Sequence, residues 1–245
     1  MNAAELFRAG KLSEAIQAVG AELRDHPTDA RRRTFLFELL CFAGEFERAA
    51  KHLGVLAGAS ADTELGALLY RSALYAERQR ESVFQKKEYP AVPAPPSRHG
   101  TFNGRPFQSI EDADPRIGAR LEMFVAGEYV WLPYDLIGSI QIEPPRLLRD
   151  LIWASARVAT APSVKAQEFG EVLLPVLCPL SWRHPEDQVK LGRATEWQQI
   201  DGQDSPSGQK LLLLDGEEVV PFLELRDLRF ASGEAAPEAS STSAA

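Results

Sequence analysis

Glu111-Asp112-Ala113-Asp114-Pro115 places three carboxylates in five residues. Such a cluster binds a divalent cation, or divides acid and base roles, only where other ligands converge on it. Its alternative is an Asx turn ahead of a proline, in which short carboxylates accept nearby backbone N–H groups, and this reading is preferred. Cys178, His184 and Asp187 lie within ten residues and could supply a nucleophile, a base and an acid. Pro179 and Pro185 interrupt them, so a fixed triad is not expected. The four histidines, His26, His52, His99 and His184, share no ligand spacing, and the two cysteines, Cys41 and Cys178, form no paired motif. A disulfide framework and a cysteine-based zinc site are therefore not expected. Gly202 to Gly208 contains glycine and serine but lacks the Lys-Ser/Thr ending of a phosphate-binding loop. Trp131, Trp153, Trp182 and Trp197 read as core or contact residues rather than platforms for bases. Nothing here demands catalysis. The expectation is a protein that is not an enzyme and has no metal and no cofactor, with an enzyme built on Asp112, Asp114 or His184 as a weaker alternative.

The elements that would position these residues divide the chain. It has 245 residues with 27 basic and 35 acidic side chains, a net charge of −8. A balance this acidic argues against general binding of nucleic acid or of an anionic membrane. The opening residues carry charges throughout and resemble no signal peptide, and no apolar run approaches the roughly 18 residues of a membrane span. A cytoplasmic, soluble protein is expected. Residues 1–90 hold 13 basic and 13 acidic side chains, so the whole excess of −8 falls in residues 91–245. Residues 1–88 contain one proline, Pro27, and are rich in Ala, Leu, Glu and Arg, a helical composition. Pro90, Pro93, Pro95 and Pro96 then mark a linker, taken as residues 89–108. Residues 109–230 show short Val, Ile, Trp, Tyr and Phe runs cut by Gly and Pro, the punctuation of strands. Residues 231–245 lack large apolar side chains and read as a disordered tail.

The helical part repeats. GKLSEAIQAV begins at Gly10 and GEFERAAKHL at Gly44, 34 residues later, with Ala15 matching Ala49 and Val19 matching Leu53. This period is that of tetratricopeptide-like helix pairs. A turn glycine lets antiparallel helices reverse, a small alanine lets them approach, and the apolar residue four positions on lies one turn along the same face. A generic helical hairpin with a chance period is the alternative. A third first-helix is expected from about Thr63 to Arg80, without a regular second helix, because Arg78 and Lys87 stand where Gly and an apolar residue would recur. About five helices result. In the C-terminal part, Leu121 to Val125 and Tyr129 to Leu132 flank Ala126-Gly127 as a hairpin, and Lys210 to Leu214 and Val219 to Leu225 flank Asp215-Gly216 as another. Ile137 to Ile142 and Val172 to Leu177 read as strands, and Leu147 to Trp153 as a short helix or a strand. The fold class is α+β in two domains: a tetratricopeptide-like helical array, then a mainly antiparallel β domain with few helices.

Several longer stretches are specific. Asp112 to Trp153, Gly170 to Trp182, Leu191 to Trp197 and Gly208 to Phe230 follow in order, and with the opening LFRAGKLSEAIQAVG the chain resembles the ImpE family, also called TagJ or SciE-type, over about residues 3–230. Cys178 stands where an aromatic residue is common in that family, and Lys210 where Arg is common. The resemblance implies a non-enzymatic accessory protein of the bacterial type VI secretion system. It further implies an adaptor that binds the N-terminal helix of the small sheath subunit, TssB, and is linked to the ClpV-type ATPase that disassembles contracted sheath. It carries over no catalytic residues.

A stack of helix pairs offers a concave face suited to an amphipathic helix. In tetratricopeptide geometry Arg31, Thr34, Glu38, Cys41 and Phe42 would face that groove from the second pair, and Leu65, Leu68, Ser72, Tyr75 and Ala76 from the third first-helix. The alternative is that Phe42, Leu65 and Leu68 pack on the next helix or on the C-terminal domain. A helical-repeat scaffold for a different partner, such as a kinase, a baseplate protein or the ATPase itself, is the second function considered.

Overall fold

The computed structural model describes residues 1–58, 61–90, 95–162, 164, 168–200 and 202–231. Residues 91–94 of the expected linker and all but the first residue of the expected tail lie outside these. Five helices come first: α1 (Ala3–Arg8), α2 (Leu12–Asp25), α3 (Ala30–Phe42), α4 (Phe46–Ala57) and α5 (Ala61–Lys86). Asn2 caps α1 by accepting the Glu5 N–H while Glu5 returns to the Asn2 N–H, a capping box. Asp29 caps α3 through the Arg32 N–H. Gly10 and Gly44 both have left-handed φ, +78° and +69°, in the turns α1–α2 and α3–α4. Ala15 and Ala49 are fully buried, and Val19 and Leu53 are buried with them. The 34-residue period thus marks equivalent positions in two successive helix pairs. The third first-helix is α5, a single run of 26 residues.

Thirteen strands follow among the described residues. β1 (Gly100–Phe102), β2 (Arg105–Phe107), β4 (Arg120–Val125), β5 (Glu128–Pro133), β6 (Ile137–Ile142), β7 (Trp153–Thr160), β8 (Glu168–Pro175) and β13 (Asp227–Phe230) form an eight-stranded antiparallel sheet, in the order β2-β1-β13-β6-β7-β8-β4-β5. β3 (Ile110–Asp112), β11 (Leu211–Leu214) and β12 (Glu218–Pro221) form a three-stranded sheet, and β9 (Thr195–Ile200) pairs with β10 (Gln203–Gly208). Residues 100–107, read from sequence as linker, are therefore two strands at the sheet edge. Their hairpin turns on Asn103-Gly104, both with positive φ, a dipeptide suited to a tight β-turn. Leu148–Leu151 is a short 3-10 turn leading into β7, so the ambiguous segment contains both a helical turn and a strand start. A four-residue helix, α6 (Asp187–Lys190), completes the fold.

The large sheet is covered on both faces. Leu121 and Met123 of β4 and Val172 and Leu174 of β8 enter an apolar cluster shared with the small sheet. Their neighbours Phe124 and Leu173, with Ile152 and Trp153, enter the cluster built by the helices. Alternating side chains point to opposite faces, so central strands with both faces covered show continuous burial instead of an alternating pattern. The α+β architecture stands as expected, with one addition: the helices and the sheet share an apolar cluster.

Candidate functional site

The face expected to receive a partner is filled from within. Phe7 and Phe35 meet edge to face at 5.8 Å, Phe37 and Tyr70 likewise at 6.1 Å, and Tyr70 and Trp153 pack with tilted rings at 6.1 Å, linking α1, α3, α5 and β7. Arg149, from the 3-10 turn before β7, reaches into the helices. Its Nη1 donates to Glu38 at 3.0 Å, its Nε donates to the Tyr70 hydroxyl at 2.9 Å, and its guanidinium lies over the Tyr70 ring at 5.0 Å. Burial pushes the Glu38 carboxyl up, and Arg149 opposes that. Phe42 and Cys41 are core residues, and Ala76 is buried. Glu38 and Phe42, expected as groove-lining residues, are thus covered by the chain's own C-terminal part. A chain-pattern reading could not see this, because Arg149 and Trp153 lie over 100 residues from α3.

The remaining expected site residues sit elsewhere. Arg31 is exposed at the start of α3, and the Thr34 hydroxyl donates back to the Ala30 carbonyl at 2.9 Å. Leu65, Leu68 and Tyr75 on α5 are 71%, 58% and 57% exposed. They stand three and seven residues apart, one flank of the helix. Ser72 lies beside the β4–β5 turn: a Cβ on Gly127 would come 3.5 Å from the Ser72 Cβ. Leu69 and, on α4, Val55 are also exposed, at 46% and 60%. The sequence reading missed both. Large apolar side chains clustered on one surface mark contact sites more often than scattered ones do.

The residues that catalysis would have used are buried. Asp112 Oδ1 accepts the Asp114 N–H at 2.9 Å, and Asp114 Oδ1 accepts the Arg116 N–H at 3.0 Å, the residue-to-second-neighbour pattern of Asx turns. Beneath them is a buried ionic cluster that joins α5 to the eight-stranded and three-stranded sheets. Glu122 of β4 accepts from Arg80 Nε at 2.8 Å and Nη2 at 2.9 Å, from Lys210 Nζ at 2.6 Å, and from the Tyr129 hydroxyl. Lys210 also pairs with Asp112 at 2.7 Å. Arg80 further donates to Glu77 at 3.1 Å and to the Leu177 carbonyl at 2.9 Å, and Trp153 Nε1 donates to Glu77 at 3.1 Å. Burial alone would raise the Glu122 pKa, but Arg80 and Lys210 overcome it and hold the carboxyl well below its usual range. Burial raises Asp112 to about 6; Lys210 opposes that, while Glu122 and Asp114 add to it.

Cys178 is buried, and its burial pushes the thiol well up, the reverse of an activated nucleophile. His184 is buried too, its Nδ1 accepting the Glu186 N–H at 3.2 Å and its Nε2 meeting Glu196 at 3.2 Å. Asp187 accepts the Ser13 N–H at 3.1 Å, satisfying a donor in the first turn of α2. These three side chains form no triad; they hold the fold. No group of three or more His, Cys, Asp or Glu that could hold a metal occurs among the described residues. Trp153 is core, Trp131 stacks on Phe84 at 5.7 Å, and Trp182 packs on the α3–α4 turn. Trp197 is 46% exposed.

Together these features define a two-part α+β protein whose sheet closes the inner face of its helical array, leaving an apolar flank of α5 in solvent. The family model described as ImpE protein matches residues 104–229. The type VI secretion system accessory component TagJ of Pseudomonas aeruginosa is 32% identical, over 94% of this chain and 91% of its own length. The crystal structure of protein VPA1032 from Vibrio parahaemolyticus has the same fold, with a TM-score of 0.80 at 23% identity, covering 94% of this chain and 98% of that one. The chain belongs to the ImpE family.

Proposed function

We propose that this chain is an accessory component of a type VI secretion system, acting as a non-enzymatic adaptor in the cytoplasm. The observation that carries the reading is the 32% identity to TagJ across nearly the full length of both chains. Burial of Asp112, Asp114, Cys178 and His184 supports an adaptor over an enzyme built on those residues. Among the described residues no helix is long and apolar enough to cross a membrane. The adaptor binds the N-terminal helix of the small sheath subunit, TssB, and works with the ClpV-type ATPase in sheath recycling, as its family suggests.

The docking surface in this reading is the exposed flank of α5, since an amphipathic helix anchors through apolar side chains about one turn apart. Leu65, Leu68 and Tyr75 supply such a row. Binding energy at such contacts concentrates in a few anchors. Leu68→Ala or Tyr75→Ala should weaken binding of a synthetic TssB N-terminal helix by about 1–3 kcal/mol, roughly 5- to 150-fold, with circular dichroism unchanged. Lys51→Ala, on α4, is the control. Titration calorimetry in which both truncations bind like the parent protein would remove α5 as the docking surface. A peptide that fails to bind the unmodified protein would remove TssB as the partner.

A further inference from the structure

Pro206 fixes the hydrogen-bond phase of the β9–β10 hairpin. It stands opposite Trp197 and has no N–H, so the two cannot be a pair that exchanges backbone bonds. Gly208 agrees: its carbonyl accepts the Cys178 N–H at 2.8 Å and its N–H donates to the Ser181 hydroxyl at 2.8 Å, both outside the hairpin. Bonded and non-bonded pairs alternate along an antiparallel ladder. Glu196 therefore bonds to Ser207 and Gln198 to Ser205, while Trp197 and Gln199 turn their N–H and C=O groups away from β10. Among the described residues none of these four groups has a hydrogen-bond partner. Every residue from Glu196 to Ile200 is exposed.

The other strand edges are closed or cut short. Pro106, opposite Thr101, faces out from β2 by the same rule and leaves that edge without a donor. The Phe222 N–H donates to the Lys210 carbonyl at 2.9 Å, so Pro221 faces out from β12 and leaves Val219 as its one outward donor. α5 lies along β5, where Gln79 accepts the Tyr129 N–H at 3.0 Å and Phe84 stacks on Trp131. On β3 the outward N–H groups of Ile110 and Asp112 donate to the Ser97 hydroxyl at 2.6 Å and the Gly118 carbonyl at 2.8 Å. Natural proteins close edges in these ways because an unpaired row is a template for another strand. β9 is left open, and Trp197 beside the open groups is 46% exposed. Strand addition uses both: main-chain bonds give affinity, and rests for alternate side chains give selectivity.

The hairpin's charge selects the occupant. Residues 195–208 hold Glu196, Asp201 and Asp204 and no Lys or Arg, in a chain of net charge −8. The cations nearby are engaged. Arg193 reaches the carbonyls at the end of α1. In the recess that Gln198 and Ile200 line, Arg116 pairs with Asp114, Arg183 has Glu81 beside it, and Lys87 has a partner of its own. A second copy of the hairpin would bring like charges together, whereas a basic strand would bring opposite ones.

We propose that β9 is a strand-addition site for an extended basic segment of a partner protein, which pairs with the outward groups of Trp197 and Gln199 and rests apolar side chains on the Trp197 indole. The site shares no residue with the α5 flank and does not depend on the partner assigned there. The test is fluorescence anisotropy of the full chain with a labelled, end-blocked peptide of alternating lysine and valine. In an antiparallel pair the residue opposite Trp197 shares its face and turns its N–H to β9, and the valines take that place. N-methylation of the valines should abolish binding, and N-methylation of the lysines should not. A peptide of alternating glutamate and valine should bind more weakly by about tenfold or more. Gln199→Pro removes an outward donor and no backbone bond to β10. It should raise the Kd of the lysine–valine peptide by about tenfold or more, with the melting temperature unchanged. The proposal falls if that peptide does not bind, if the two methylated peptides bind alike, or if folded Gln199→Pro binds like the parent protein. The methylated peptides are read on the parent chain, so a misfolded variant leaves the test intact. Self-association of the chain that Gln199→Pro abolishes would give β9 to a second copy and overturn the assignment as well.

Discussion

Glu122 is buried, and the fold surrounds its carboxylate with two cations and a hydroxyl. Removing one partner of such a buried set is costly because it strands the rest. Asp112, on the far side of Lys210, is buried, and burial first, with Glu122 and Asp114 adding to it against Lys210, raises its pKa to about 6. In the unfolded chain an aspartate titrates near about 3.9. The folded state therefore holds this proton more tightly. The stability it contributes is full below pH 4 and is lost as pH rises through 6. A shift of about 2 units corresponds to about 3 kcal/mol. Glu122 runs the other way, adding stability above about pH 4.3 and losing it on acidification. Asp112→Asn should remove the first slope only. In urea denaturation at pH 4 to 7, the stability of the parent protein relative to this variant should fall by up to about 3 kcal/mol as pH rises. A constant difference across that range would mean that Asp112 titrates normally. The turn carboxylates were legible in the sequence because Asx geometry is local. Arg80 and Glu122 were not, since they lie 42 residues apart and each alone reads as a solvated charge on a helix or a strand.

Two glycines separate local from tertiary requirements among the helices. Gly20 lies within α2 with nothing within 4 Å of an added Cβ. Gly44 closes the α3–α4 turn at φ +69°, and an added Cβ would come 2.4 Å from the Trp182 ring. Gly20→Ala should stabilise by about 0.5–1 kcal/mol, since glycine is a poor residue within a helix. Gly44→Ala should destabilise by about 2–4 kcal/mol, the left-handed backbone and the clash acting together. Thermal unfolding of both variants checks the signs; a neutral Gly44→Ala would mean that the turn and Trp182 yield without cost. The turn glycines were legible because the period repeats them. Their second role, seating Trp182 on Gly44 and Gln188 on Gly10, was not, because those contacts come from the other end of the chain. Elements whose signals conflict were also missed. The proline and glycine of residues 100–107 read as linker, although Asn103-Gly104 turns a hairpin there, and β9 is too polar and exposed to show a strand pattern.

The proline stretch marks a change of composition, but the contacts across it do not describe two bodies on a tether. Phe124, Ile152, Trp153, Leu173 and Leu191 belong to the same apolar cluster as the helices. Arg80 is bonded to Glu122, Arg149 to Glu38, and Arg193 donates to the carbonyls of Phe7 at 2.8 Å and Arg8 at 3.0 Å, where α1 ends. Composition marked the change from helices to strands because it is a local property. The shared cluster escaped because burial on two faces is a property of the assembled fold. One consequence can be measured. Chains joined by a flexible linker part when it is cut, whereas parts sharing an apolar core with buried ion pairs stay together. A protease site inserted between Pro90 and Pro96 should therefore be cleavable without releasing either part. After complete cleavage the fragments should co-elute in gel filtration at the position of the intact chain. They should separate only in denaturant, because parting them exposes Trp153 and breaks the buried Arg80–Glu122 pair, leaving Glu122 with Lys210 as its cation and Arg80 with Glu77. Arg80→Met combined with Glu77→Gln and Glu122→Met removes Arg80 and the two carboxylates it pairs with while keeping bulk, leaves Lys210 with Asp112, and should leave the fragments associated. Arg80→Ala alone should loosen them by leaving buried Glu77 without a cation and Glu122 with Lys210 alone, visible as dissociation of the cut protein at lower urea. Fragments that separate in buffer alone would show that the linker, and not the shared core, holds the molecule together.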